Sequence, residues 1–166
     1  MSNTVKIKKL FPDVEIPKYA TIGSAGFDIV AHNFKMSYSA DEPMNKVSID
    51  LSSHGLTLTP GSRVLIGCGF ALAIPEGYEL QVRSRSGLAL KKGIVVLNSP
   101  GTIDSDYRGE IGAIICNTSK FSVEIPLGER IAQCVLQKVH IAEFEEVENL
   151  DETERGAGGF GSTGHK

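Results

Sequence analysis

A chain of 166 residues, 41% of them hydrophobic, is the size of one compact domain and can bury a core without disulfides or metals. Its formal charge of -3 and pI near 5.8 exclude tight binding to long nucleic acids, which draws on many Lys and Arg contacts to phosphate, although a small anion needs only a few well-placed arginines. No apolar run reaches membrane-spanning length, and Lys6, Lys8 and Lys9 interrupt the apolar residues near the start, where a signal peptide would be unbroken; no membrane association is expected.

Along the chain the apolar residues come in short bursts rich in Val, Ile and Leu, and no stretch holds a 3.6-residue period for long. This is an all-β pattern, with strands expected over 5–10, 26–31, 47–51, 63–73, 79–83, 94–97, 110–117, 121–125 and 130–139. Thr59-Pro60-Gly61, Pro75-Glu76-Gly77 and Pro126-Leu127-Gly128 supply the fixed and positive φ angles that turns require. So many short strands in a small domain suggest a barrel or sandwich. Segment 33–45 is polar and weakly patterned, which reads as a surface insertion carrying no chemistry. Residues 1–150 thus form a single β domain, and 151–166, acidic and then dominated by glycine, cannot hold themselves in a packed core. Cys68, Cys116 and Cys134 are an odd set without C-x-x-C spacing, each in an apolar stretch; free thiols packed as small hydrophobes point to a reducing setting, the cytoplasm or, in a eukaryote, the nucleus.

Four regions carry candidate chemistry. The tail at 155–164 combines backbone freedom with one cation, Arg155, one ring, Phe160, and two hydroxyls. A disordered end is the plain reading, but a flexible lid could close Phe160 over a planar base while Arg155 meets phosphate. A phosphate loop of the lysine type is excluded, because His165 follows Gly164 where lysine is required. Residues 83–89 form an arginine and serine turn in which Arg85, the Ser86 hydroxyl and the Gly87 amide are donors suited to phosphate oxygens, though Ser and Gly also favour turns on their own account.

Residues 98–109 are dense in groups that could read a base, hold a water and contact a sugar. A carboxylate there could orient and deprotonate an attacking water, whereas a calcium loop would need a glutamate twelve places from Asp104 that is missing. Segments 25–29 and 128–133 each open a strand from a turn, with Asp28 and Arg130 as ion-pair or turn-capping residues on a structural reading. His32, His54, His140 and His165 show no ligand spacing, so zinc is not expected.

Taken together and in order, the segments at 25–29, 85–89, 101–110, 128–133 and 155–164 resemble the trimeric dUTPase family, and they spread over most of the chain. The resemblance implies an all-β, distorted jelly-roll or β-clip barrel subunit, assembled as a homotrimer with active sites shared between chains. It implies hydrolysis of dUTP to dUMP and pyrophosphate by water attack on the α-phosphate, which keeps uracil out of DNA and supplies dUMP for dTMP synthesis. Mg2+ would be held by substrate phosphates and water, with no direct protein ligand. Asp104 would activate the water, supported by Asp28. Arg85, Ser86 and Gly87 would bind phosphates from a neighbouring subunit, with Gln133 in the same network.

Asn98 and the backbone of Thr102 and Ile103 would read the uracil edge, Tyr107 would pack beneath the deoxyribose, and Arg155, Phe160 and Gly161 would belong to the closing lid. Departures from the family pattern are Ser84, where proline is usual, Thr102, where an aliphatic is usual, and a long stretch between Ile29 and Arg63. A dCTP deaminase shares the implied fold but needs an acid/base residue against the cytosine amine. A non-catalytic trimeric interaction module has no physical need for Asp104 or the tail.

Overall fold

The computed structural model describes residues 4–38 and 55–159, and these form an all-β molecule. In chain order its elements are β1 (Lys6–Lys9), β2 (Phe27–Val30), β3 (Asn33–Tyr38), β4 (Gly55–Leu58), β5 (Arg63–Ala73), β6 (Tyr78–Arg83), α1 (Ser86–Lys92), β7 (Ile94–Val96), β8 (Gly101–Ile103), β9 (Glu110–Asn117), β10 (Val123–Pro126) and β11 (Arg130–Lys138).

A five-stranded sheet runs β1-β5-β9-β7 with β3 also on β5, a four-stranded sheet runs β2-β11-β6-β8, and β10 pairs with β4. The pairings are antiparallel. Alternation drives the layering: Ile111, Ala113 and Ile115 of β9 are buried while Gly112 and Ile114 between them are not. One core cluster joins Ile66, Phe70, Leu72, Ile111 and Ile115 of the larger sheet to Ile29, Leu80, Val82, Ile131 and Cys134 of the smaller. All three cysteines are free and buried; burial drives the Cys134 thiol up to about 12 and pushes Cys68 and Cys116 up as well.

Four elements depart from the sequence reading: β4 and β8 are strands where none was expected, and β3 and α1 replace an expected insertion and turn. Segment 33–45 begins with β3, whose register on β5 runs from Asn33 opposite Gly67 to Tyr38 opposite Arg63, so its first residues belong to the sheet. The turn expected after Arg83 is instead followed by the helix α1, which ends at Gly93 with φ 65 and carries Lys91 and Lys92 in its last turn. The strand expected over 47–51 and the remainder of the presumed insertion, 39–45, lie outside the described residues.

A single buried amide fastens β9 to the turns beside it. Asn117 is fully buried, its Nδ2 donating to the carbonyls of Leu58 and Phe121 at 2.8 Å each, while its Oδ1 accepts the Ser119 N–H at 2.9 Å. Asn117→Ala strands all three partners, and a loss of about 3 kcal/mol is expected in urea unfolding; a loss below about 1 kcal/mol would show that water replaces the amide without cost.

Candidate active site

The loop after β7 and the short strand β8 build a concave site. Pairing of β8 with β6 sets Gly101 opposite Val82, Thr102 opposite Gln81 and Ile103 opposite Leu80. Past β8 the chain turns, the Tyr107 N–H donating to the Asp104 carbonyl at 3.2 Å and Arg108 Nη1 to the carbonyls of Ser105 and Tyr107 at 2.6 and 2.9 Å. A cavity of about 380 Å3 opens here, lined by Asn98, Thr102, Ile103, Asp104 and Tyr107, with Val82, Val96, Leu65 and Ile114 among its apolar walls. That volume and mixture suit a small planar ligand held by a few polar groups. Asp104 is exposed, and among the described residues no group donates to its carboxylate, so it is available to a water molecule.

Ser84, just past β6, supports β7 and the loop after it. Its hydroxyl accepts the Val96 N–H at 2.9 Å and its own N–H donates to Ser99 Oγ at 3.4 Å, a link that proline could not make.

A second group of candidate residues gathers where β2, β11 and β6 lie side by side. Register places Gln133 opposite both Asp28 and Arg83. Asp28 accepts from Arg85 Nε at 3.0 Å and from Arg130 Nη1 at 3.1 Å, and Arg85 Nη1 donates to the Arg130 carbonyl at 3.0 Å. Two guanidiniums around one carboxylate leave a net positive charge, the electrostatic condition for holding an anion. The Gln133 amide donates to the Ser84 carbonyl at 2.9 Å, and Ser86 and Gly87 are exposed at the start of α1. Gly26, just before β2, has no room for a side chain, since a Cβ would stand 2.7 Å from the Cys134 carbonyl oxygen.

None of Asp28, Arg85, Ser86, Gly87 or Gln133 lines the cavity of Asp104. The structure therefore brings the sequence-derived residues together as two groups and leaves Arg155 apart from both. Arg155 is exposed and donates its Nε to the Gly158 carbonyl at 2.8 Å within its own turn. Phe160 and Gly161 lie outside the described residues. Lys35 and Glu110, which sequence reasoning did not single out, also line the cavity and form an ion pair there. The signal available for Lys35 was the alternation Asn33, Phe34, Lys35 at the start of a stretch otherwise without pattern.

A family model described as dUTPase matches residues 40–164, three quarters of the chain. The chain belongs to the dUTPase family. Among curated dUTPase relatives, a deoxyuridine 5'-triphosphate nucleotidohydrolase of Wolinella succinogenes is 49% identical over 160 residues, covering 96% of this chain and 93% of that one. One of the same description from Caulobacter vibrioides is 48% identical over 152 residues, covering 92% and 87%. Among solved structures, a variant of the 80alpha phage dUTPase superposes with a TM-score of 0.77 at 28% identity, covering 98% of this chain and 99% of that chain. Another variant of the Staphylococcus bacteriophage 80alpha dUTPase, solved with dUpNHpp, gives 0.74 at 26% identity, covering 99% and 100%. The all-β fold described above is thus the dUTPase fold.

Proposed function

We propose that the chain hydrolyses dUTP to dUMP and pyrophosphate by attack of water on the α-phosphate, with Mg2+ bound to the substrate, in a homotrimer whose sites draw on more than one subunit. The observation that carries this reading is the cavity beside Asp104, in which a carboxylate without a partner among the described residues, an amide side chain and a tyrosine share one concave surface. Asp104 holds and deprotonates the water. Asn98 and the backbone at Thr102 and Ile103 take the uracil edge, and Tyr107 takes the sugar. A slot of fixed donors and acceptors penalises a base that leaves them unpaired, and its walls exclude thymine's extra methyl.

Arg85, Ser86 and Gly87 bind phosphate oxygens, with Asp28 and Gln133 behind them. Support for sharing between subunits comes from the separation of this group from the cavity of Asp104 within one chain. Both Asp28 oxygens are engaged by arginines, so Mg2+ would be held by the phosphate oxygens of the substrate and by water, with Asp104 and Asp28 reaching it only through water or neighbouring residues. When bound, Mg2+ neutralises charge on the phosphates. Residues 151–166 act as the lid that excludes water from the loaded site, Arg155 meeting the γ-phosphate and Phe160, with Gly161 beside it, covering the base.

In a cell this reaction keeps uracil out of DNA and yields dUMP for dTMP synthesis. Buried free thiols suit the cytoplasm or a eukaryotic nucleus. Pyrophosphate release from dUTP, dTTP, UTP and dCTP with Mg2+ tests reaction and selectivity together. Turnover of dUTP alone is the expected result; ammonia release from dCTP, or no preference for dUTP, would overturn the reading.

A further inference from the structure

The pocket is held from behind by a clasp that starts on β3. Where β5 meets β9 the register shifts between Gly67, opposite Gly112, and Ala71, opposite Glu110. Within that irregularity Gly69 adopts φ 77, and its N–H has no carbonyl across the ladder to bond. The Glu110 side chain fills the gap. Its Oε1 accepts the Gly69 N–H at 2.8 Å and the Asn33 amide at 2.7 Å, and Oε2 pairs with the Lys35 ammonium. Burial alone would raise this carboxyl, which is 10% exposed, but the three donors outweigh it and hold Glu110 below the ordinary glutamate value. Gly67 faces the clasp with no space for a side chain, since a Cβ would lie 2.4 Å from Glu110 Oε1 and 2.6 Å from Asn33 Oδ1.

The same residue reaches the pocket through its backbone. Tyr107 Oη donates to the Glu110 carbonyl at 3.2 Å, and the ring folds so closely over Gly109 that a Cβ there would be 2.3 Å from Tyr107 Oη. Lys35, Glu110, Tyr107 and Asp104 line one cavity. A clasp serving stability alone would have no reason to end on a pocket tyrosine.

We infer that Asn33 and Lys35 are positioning residues for sugar recognition: by holding the Glu110 carboxylate in the β5 irregularity they fix the carbonyl to which Tyr107 bonds, and so set where its ring meets the pentose. This rests on the dUTPase reading above. The experiment compares kcat/KM for dUTP and UTP in Asn33→Ala and Lys35→Met, each alone and combined with Tyr107→Phe, beside Glu110→Gln and Glu110→Ala. Each β3 variant is expected to lose roughly five- to ten-fold of the preference for dUTP, mostly through KM, as a small displacement of a pocket group costs up to about a hundred-fold.

Tyr107→Phe already lacks the hydroxyl through which the clasp acts, so adding either change should cost little more. Glu110→Gln keeps acceptors for Asn33 and Gly69 and should retain more selectivity than Glu110→Ala. Preference unchanged within about two-fold, or losses that multiply in the Tyr107→Phe background, would overturn the inference. Lys35→Met alters a side chain that is 43% exposed and keeps the test open if Asn33→Ala does not fold. Calorimetric binding of dUMP against UMP reads the same selectivity without turnover, so an inactive parent chain would count against the proposed reaction and leave the clasp to be judged separately.

Discussion

Asp104→Asn is expected to lower kcat by about a thousand-fold while leaving the affinity for dUpNHpp within about three-fold, because a positioned general base contributes roughly 10^2 to 10^4 in rate. The argument is local. Asp104 follows β8, its carbonyl closes the turn with the Tyr107 N–H, and among the described residues nothing donates to its carboxylate. Carboxylate to carboxamide therefore removes a proton acceptor without removing a packing contact. Thermal stability should stay within about 0.5 kcal/mol of the parent, as for an exposed side chain outside any network. Pyrophosphate release under saturating dUTP, alongside direct binding of the analogue, separates the two effects. A kcat within ten-fold of the parent would remove the proposed base.

Removing residues 155–166 is expected to lower kcat/KM for dUTP by about a hundred-fold or more, since closure orders the triphosphate and keeps bulk water from the reacting centre. Folding should not change. From Val139 to Gly159 the described residues form no strand or helix and most are exposed, and Arg155 bonds only within its own turn. The measurement is steady-state turnover of parent and shortened chain at matched melting temperature. Full activity in the shortened chain would rule out closure by this tail.

Much of the fold could be read from residue pattern because the long strands are apolar runs rich in Val, Ile, Leu and Ala, set off by Pro- and Gly-containing turns. The expected spans at 63–73 and 110–117 coincide with β5 and β9, and 130–139 overruns β11 by one residue. The helix α1 went unseen for a physical reason: in seven residues only Leu88 is buried, so no amphipathic repeat can develop. Lys91, Lys92 and the left-handed Gly93 were the available stop signal. Strand β3 escaped because its polar residues serve a half-buried carboxylate, and polarity at such positions looks like a solvated loop. For the site, residue types around β8 and in the arginine turn were legible one segment at a time. Their grouping was not, since Asp28, Arg85 and Arg130 meet only through pairings that span most of the chain.

Those pairings also govern when this cationic cradle can assemble during synthesis. Asp28 leaves the ribosome 102 residues ahead of its partner Arg130, and among the described residues β2 pairs with no other strand until β11 emerges. A nascent chain interrupted anywhere before that strand has an incomplete smaller sheet and no assembled cationic cradle, so the cradle forms in one step when β11 is made rather than growing with length.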